Sequence, residues 1–501
     1  MNNYMLINNN HLSDSRSGET ATLSDAIQTS QPISGGLWSI QDFPQVSPDE
    51  IQGLTGKSYQ EVAFNILSRF DFWVSPDVLR KIINEAYWNQ WHNSEITPTK
   101  HITENLYSLH LGYGPTFAFK NVALEFLPRL LAKLKKGKIV HVLGASSGDT
   151  INAAHSGVKW TNIRSIFMLP KTGPSEVQEL QAVNGIVNNP NAITLLADVP
   201  FDPLQDIVKK INGPEFVDFK RKYNITSFNS INIARILAQV VYYFRAYAKL
   251  LKNGAISNWD EVIFSVPSGN FWDALAGYYA KKMWLPIKKI LVATNENDML
   301  DKFFKTGVYE PPKRSGIDYV QVTNAPSMDI AKSSNFERML FDVCWFDSVK
   351  IKWFYDDLAK TGKFQVDNEI LREIQKTFIS SSSTDEERLD AIKTFGKFHN
   401  HGVDPHTAAW VVPWINSSVY GLRWNIPVIF LETSHVAQFW AELRNQWIVV
   451  PGMDEFDETL DAMRKAQPQE WRDYLRVSGD FDTTFPQIKK AIEELLPRKW
   501  A

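Results

Sequence analysis

Six short apolar runs recur along the chain from residue 106 onward: Lys138–Leu143, Ser165–Leu169, Ala192–Leu196, Val262–Val266, Lys289–Ala293 and Pro427–Leu431. Each is bounded by turn or polar residues, and amphipathic stretches such as Asn229–Lys252 and Phe271–Trp284 lie between them. Runs this short fit strands buried on both faces, and strands that alternate with helices pair in parallel through crossover connections. The expectation is therefore an α/β protein built on a parallel-sheet core. Upstream, Ser58–Arg69 and Pro76–Trp88 carry apolar residues at helical spacing (Val62, Ala63, Ile66, Leu67; Val78, Leu79, Ile82, Ile83, Ala86). Residues 1–35 read as an irregular arm with one helix start at Thr22, and Ser380–Ser383 as a loop that caps a following helix. The segment from Asp454 onward reads as a charged, helical, peripheral cover.

Of 501 residues, 44% are hydrophobic and 22% charged, which excludes a disordered chain, a collagen-like fibre and a disulfide-stapled miniprotein. At about 150 residues per domain the length suggests about three domains or subdomains. Lys and Arg total 53 against 56 Asp and Glu, with the signs interspersed, so no basic face recommends nucleic acid as a partner. The run Lys133–Lys138 reads as a solvated helix end. The single Cys344, flanked by Val343 and Trp345, reads as a buried apolar residue in a reducing compartment. No apolar run reaches the roughly 18 residues that span a bilayer, and the expected location is cytoplasmic. Tryptophan, at 17, is unusually frequent beside 25 glycines.

Three junctions hold residues suited to chemistry. In Val140–Thr150, an apolar strand runs into Ser146, Ser147, Gly148, Asp149 and Thr150, which suit either an anion site or ordinary helix capping. In Val262–Asp273, Pro267, Ser268, Gly269 and Asn270 either expose backbone donors to a phosphate or form a tight capped turn. In Gly112–Asn121, Lys120 follows an apolar aromatic pair. It is either a desolvated amine fit for Schiff-base chemistry or a surface lysine at a helix start.

Taken together, the segments Gly112-Tyr-Gly-Pro-Thr-Phe-Ala-Phe-Lys-Asn121, Ala145–Thr150, Ser265–Phe271, Asn229–Gln239, Thr294–Asp298, Ala325–Ile330, Ser334–Arg338 and Asp404–Ala408 resemble those of the threonine synthase family. The resemblance runs from the N-terminal arm to about residue 440. It implies a pyridoxal-phosphate enzyme of fold type II, like the β chain of tryptophan synthase, with a parallel-sheet core, a smaller α/β subdomain and a helical N-terminal region. The expected divisions are 1–105 for the arm and helical region, 106–453 for the catalytic core with its subdomain at about 138–235, and 454–501 for the C-terminal helical segment.

By the same resemblance, Lys120 bonds the cofactor and moves protons, while Gly269, Asn270, Phe271, Asp273 and Thr433 contact pyridoxal phosphate. Ser147, Gly148, Asp149, Thr150, Asn232 and Arg235 surround substrate, and no metal is implied. The implied reaction converts O-phospho-L-homoserine and water to L-threonine and phosphate in a monomer or homodimer, with neither membrane nor nucleic acid involved. His406 and His435 read as satisfied core or loop residues.

Departures from the family pattern fall in these motifs. Trp272 stands where the cofactor loop resembles a glycine position, and Asp273 where it resembles an asparagine; a bulky side chain and a carboxylate both oppose phosphate binding. Tyr113, Asn121, Ile151 and Gln438 also differ from the pattern, and Trp160 and Trp284 stand where it leads to glycine. Two alternatives follow: a threonine-synthase-like phospho-lyase that releases 2-oxobutyrate, and a non-catalytic protein that keeps the fold.

Overall fold

All six apolar runs form strands, and they divide between two sheets. The larger sheet has the order Phe378–Ser382, Ile287–Thr294, Val262–Pro267, Val428–Glu432, Leu106–His110 and Thr99–Thr103; only the last strand is antiparallel to its neighbour. The smaller sheet is parallel throughout, in the order Arg476–Val477, Ala192–Ala197, Ile163–Pro170, Val140–Ala145 and Ile225–Thr226. The computed structural model describes residues 11–146, 148–170, 174–187, 189–199, 201–314, 317–415, 426–465 and 476–494. Among them, no helix is long and apolar enough to cross a membrane.

Helix Lys120–Leu134 lies against helix Asp149–Val158, and both touch strand Ile163–Pro170 of the smaller sheet. The approach depends on Gly157, where a Cβ would stand 1.7 Å from the Leu124 carbonyl oxygen. Buried polar contacts stitch the pair: Arg129 Nη1 donates to Glu125 Oε2 at 2.9 Å, and Ser156 donates its hydroxyl to Glu125 Oε1 at 2.5 Å.

The serine run departs from its expected loop. Phe378–Ser382 is an edge strand, in register from Ile290 opposite Phe378 to Thr294 opposite Ser382. Phe378 anchors it by stacking on Phe304 at 5.4 Å, and that tertiary contact overrides the weak strand preference of serine. A helix does follow, but its cap is Thr384, one residue past the serine run, which closes a capping box with Glu387 on helix Asp385–His399. The C-terminal segment is more than a cover: Arg476–Val477 extends the smaller sheet, and helix Phe481–Glu494 buries Ile488, Ala491 and Ile492. In the arm, Thr22 caps helix Leu23–Thr29 as expected, but His11–Asp14, Thr20–Thr22 and Trp38–Ile40 also form a small antiparallel sheet. Cys344 is 2% exposed, and burial pushes its thiol up to about 12, so it is the inert apolar residue its flanks suggest.

Helix Trp272–Lys282 packs on the long buried helix Ile233–Lys252. Here the expectation for Asp273 meets a different environment. Its carboxyl turns into the helix interface, where Tyr242 and Tyr243 both donate to Oδ1. Oδ2 has no partner among the described residues, and burial, only partly opposed by the two tyrosines, raises the group to about 7.

Several helix ends turn through left-handed residues. After Trp272–Lys282, Trp284 has φ +77° and donates to Lys281 O, while Leu285 donates to Ala280 O. This is a Schellman motif whose left-handed position favours glycine. Gly254 holds the equivalent place after Ile233–Lys252, with bonds to Leu251 O and, from Ala255, to Leu250 O.

Two outcomes follow. Trp284→Gly, at a site 51% exposed, removes the left-handed strain of a bulky residue and should stabilise the protein by about 1 kcal/mol in urea titration; a loss of stability would show that the indole is held by packing. For Asp273→Asn, the pH dependence is the readout. A carboxyl raised from 3.8 to about 7 on folding destabilises the native state progressively as pH climbs between those values. The melting temperature of the variant relative to the parent should therefore rise from pH 4 to pH 8; a flat difference would mean that Asp273 ionises normally.

Candidate active site

Lys120 is the first residue of helix Lys120–Leu134, and the chain entering it is tied by backbone bonds to the end of strand Val428–Glu432. Leu111 N–H donates to Glu432 O at 2.9 Å, Phe119 N–H to Thr433 O at 2.8 Å, and His435 N–H to Phe117 O at 2.9 Å. Asn121 closes the turn from within by accepting the N–H and the hydroxyl of Thr116 at 3.1 and 2.8 Å. An aspartate could accept the same two bonds, so this departure preserves the turn.

Asp149 begins the neighbouring helix, and the close packing at Gly157 sets the two helix starts side by side. Lys120 Nζ lies 3.0 Å from Asp149 Oδ2 and 3.4 Å from Ser327 Oγ. The Ser327 hydroxyl donates to Asp149 Oδ2 at 2.9 Å, and Gln178 and Gln438 donate to Oδ1 at 2.6 and 2.9 Å. Burial alone would raise this carboxyl, but the Lys120 ammonium and the surrounding donors outweigh it and hold Asp149 down at about 2. Gln438 thus belongs to the cluster as an amide donor. The family resemblance singled out Gln438 and the Ala325–Ile330 segment that holds Ser327, but neither their meeting at Asp149 nor the place of Gln178 was legible in the sequence, because each belongs to a segment with no spacing relation to Lys120.

The glycine-bearing loop after strand Val262–Pro267 runs beneath the same turn. A Cβ at Gly269 would stand 2.9 Å from Met328 Cα, beside Ser327. Carbonyls in this loop are taken: Ser333 donates its hydroxyl to Gly269 O, and Asn335 N–H donates to Asn270 O at 3.2 Å. Its N–H groups at Gly269, Asn270 and Phe271 have no acceptor among the described residues, and helix Trp272–Lys282 starts directly after them. Phe271, at φ +71°, sends its ring into Phe304, Phe336 and Phe378, which anchors the loop from behind. Asn270 Nδ2 donates to Ser230 Oγ at 3.0 Å. Trp272 packs sideways, 4.9 Å from the Phe119 ring and 4.2 Å from the Arg235 guanidinium, and its backbone is not left-handed. The expected intrusion on the cradle is absent because the indole has an apolar seat elsewhere.

Other expected residues divide. Lys120, Asp149 and the Gly148 turn converge, with Thr150 half-buried beside them, and Thr433 is buried under the Lys120 segment. Ser147 lies outside the described residues. Asn232 is occupied with structure: it caps helix Ile233–Lys252 and donates to Ile27 O and Ser30 Oγ, both at 2.9 Å. Arg235 donates to Phe228 O at 2.7 Å and stacks on Trp272, which places it behind the loop. His435 accepts from Ala437 N–H and pairs with Glu455 at 3.1 Å, as a satisfied loop residue would. Nearby, Glu432 sits between His401 at 2.8 Å and His110 at 3.4 Å; burial opposes its charge, but the two imidazoles hold it at about 2.

Comparison with known proteins agrees with this geometry. Residues 10–87 match the family model described as threonine synthase N terminus. Threonine synthase of Schizosaccharomyces pombe is 37% identical over 81% of this chain and 83% of its own, and that of Saccharomyces cerevisiae is 39% identical over 85% and 86%. Among solved structures, threonine synthase from yeast superposes with a TM-score of 0.83 at 32% identity, covering 97% of this chain and 99% of that one. The pyridoxal-phosphate-bound threonine synthase from Brucella melitensis gives 0.82 at 28% identity, covering 97% and 100%. With the fold, the lysine junction and relatives of this identity and coverage in agreement, the chain belongs to the threonine synthase family.

Proposed function

We propose that the protein is a pyridoxal-phosphate-dependent threonine synthase that converts O-phospho-L-homoserine and water to L-threonine and phosphate. The observation that carries this reading is the Lys120 amine, 3.0 Å from Asp149 and 3.4 Å from Ser327, together with a loop that packs at Gly269 against Met328, next to Ser327, and whose Gly269, Asn270 and Phe271 N–H groups have no acceptor among the described residues at a helix start. Three backbone donors at the positive end of a helix dipole suit a phosphate monoester, and the close approach at Gly269 leaves no room for a side chain there. These features fit pyridoxal phosphate, with Lys120 as its covalent anchor, the Gly269–Phe271 backbone on its phosphate and Thr433 beside it. When bound, the cofactor supplies an electron sink for charge that develops on the amino-acid carbons.

Within that frame the residues divide the labour. Lys120 carries protons to and from adjacent carbons, which needs one amine poised above the substrate rather than two separate bases. Asp149, a carboxylate held at about 2, is too weak a base to take the lysine proton; it orients the amine. Gly148 and Thr150, at the start of helix Asp149–Val158, suit the substrate's carboxylate through first-turn N–H groups. Asn232 has no part in this reading, because its polar atoms face structural partners; the Asp273 carboxyl is engaged at Oδ1 by two tyrosines, and Arg235 bonds Phe228 O through Nη1 while its buried Nε and Nη2 have no partner among the described residues.

Incubation with pyridoxal phosphate and O-phospho-L-homoserine, with phosphate, threonine and 2-oxobutyrate measured together, tests the assignment. Threonine and phosphate should appear in equal amounts, and Lys120→Ala should lower both by more than about a thousandfold. Release of 2-oxobutyrate in place of threonine, or no phosphate release by the parent protein, would overturn it.

A further inference from the structure

Behind the Lys120–Asp149 pair stands a buried chain of residues that the chemistry above does not use. His406 lies in the first turn of helix Pro405–Ile415 and is 2% exposed. Its Nδ1 is 2.9 Å from Asp404 Oδ1, and its Nε2 accepts the Ser327 backbone N–H at 3.0 Å. Asp404 is itself fixed by the His406 N–H at 2.9 Å and by the Thr407 hydroxyl. The order Asp, His, Ser resembles a nucleophile relay, but the imidazole addresses the serine's N–H and not its hydroxyl, so it draws no proton from Oγ. With a carboxylate on Nδ1 the ring proton belongs there, and the Nε2 lone pair is left for Ser327.

We propose that His406 is a positioning residue. It pins the turn Pro326–Met328 so that the Ser327 hydroxyl, 2.9 Å from Asp149 and 3.4 Å from Lys120, fixes the direction in which the lysine amine points. This rests on Lys120 being the reactive amine.

The test compares the parent with His406→Leu, Ser327→Ala, their double variant, and His406→Gln, which keeps an acceptor for the Ser327 N–H. In cofactor-free protein, the rate at which an amine-directed acylating reagent modifies Lys120 is followed against pH by peptide mass analysis. Both single variants should move the midpoint of that profile in the same direction, the double variant should move it no further, and His406→Gln should restore it. With pyridoxal phosphate and O-phosphohomoserine, the same two variants should lose about tenfold to a hundredfold in kcat, with a smaller change in KM. A parental acylation profile in His406→Leu, or a glutamine variant no better than leucine, would overturn the proposal. A parent that takes up no pyridoxal phosphate would instead overturn the functional assignment, and the acylation profiles would still decide the role of His406.

A separate observation concerns the tryptophans. Trp73, Trp160, Trp259, Trp284, Trp345 and Trp447 all have left-handed backbones, with φ from +54° to +77°, and all are 45% to 93% exposed. Trp345 and Trp447 repeat the Schellman bonding of Trp284: Trp345 donates to Asp342 O and Phe346 to Phe341 O, while Trp447 donates to Arg444 O and Ile448 to Leu443 O. Gly254 fills the same position in the same motif. Left-handed backbone is uncommon for any residue with a side chain and a true outlier for a bulky one, and no burial of these indoles offsets it. By contrast, Trp38 and Trp91 are buried and donate their indole N–H to Thr29 Oγ1 and Ala86 O at 3.2 and 3.0 Å.

We infer that the cell from which this gene comes reads the codon at those six positions as glycine, through a glycine-charged transfer RNA, while Trp38 and Trp91 are tryptophan. Peptide masses of the protein isolated from that cell decide the matter. Glycine masses are expected at the six positions and tryptophan masses at 38 and 91, with one triplet in the gene for the six and another for the two. Tryptophan masses at the six positions would overturn the inference.

Discussion

The contact between helix Lys120–Leu134 and helix Asp149–Val158 is the constraint on which the site depends. It brings the first residues of two helices, from two different sheet crossovers, within one ion-pair distance. The contact exists because residue 157 has no side chain to hold the Leu124 carbonyl away. A salt bridge buried this deeply contributes little net stability by itself, since desolvation opposes the attraction. Its value lies in direction: with Ser327, Gln178 and Gln438 filling the remaining sites of Asp149, the ammonium has one place to rest.

The same ordering extends outward through the backbone. The segment leading to Lys120 is pinned to residues 432–435 by main-chain bonds, so the lysine inherits the rigidity of the central sheet. On the other side, Phe271 ties the glycine-bearing loop into an aromatic cluster, and the loop's N–H groups have no acceptor among the described residues. The groups of the proposed site thus hang on strand ends and helix starts, where an open parallel sheet leaves unpaired donors.

Two residues that looked obstructive from sequence illustrate how tertiary context redirects a side chain. Trp272 was expected to crowd a phosphate and Asp273 to repel it. The loop's positive φ falls one residue earlier, at Phe271, so Trp272 begins a regular helix and lays its ring on Phe119. Asp273, one helical step on, faces two tyrosines. Neither direction is readable from a linear motif, because both depend on which helix packs behind the loop.

The sequence by itself determined the α/β class and all six central strands, because burial on both faces leaves a local signature, while the lysine junction and the glycine-bearing loop stood out through resemblance to the threonine synthase family. The same resemblance marked Trp160, Trp272 and Trp284 as glycine positions, and left-handed φ values agree with it at 160 and 284 but not at 272. Only the tertiary structure decided that the six strands split into two sheets, that a serine run is an edge strand, and that Ser327, Gln178, Gln438 and His406 gather around Asp149. Those residues lie up to 289 positions from Asp149 along the chain, and side chains that meet only through packing leave no periodicity or spacing for a linear reading to detect.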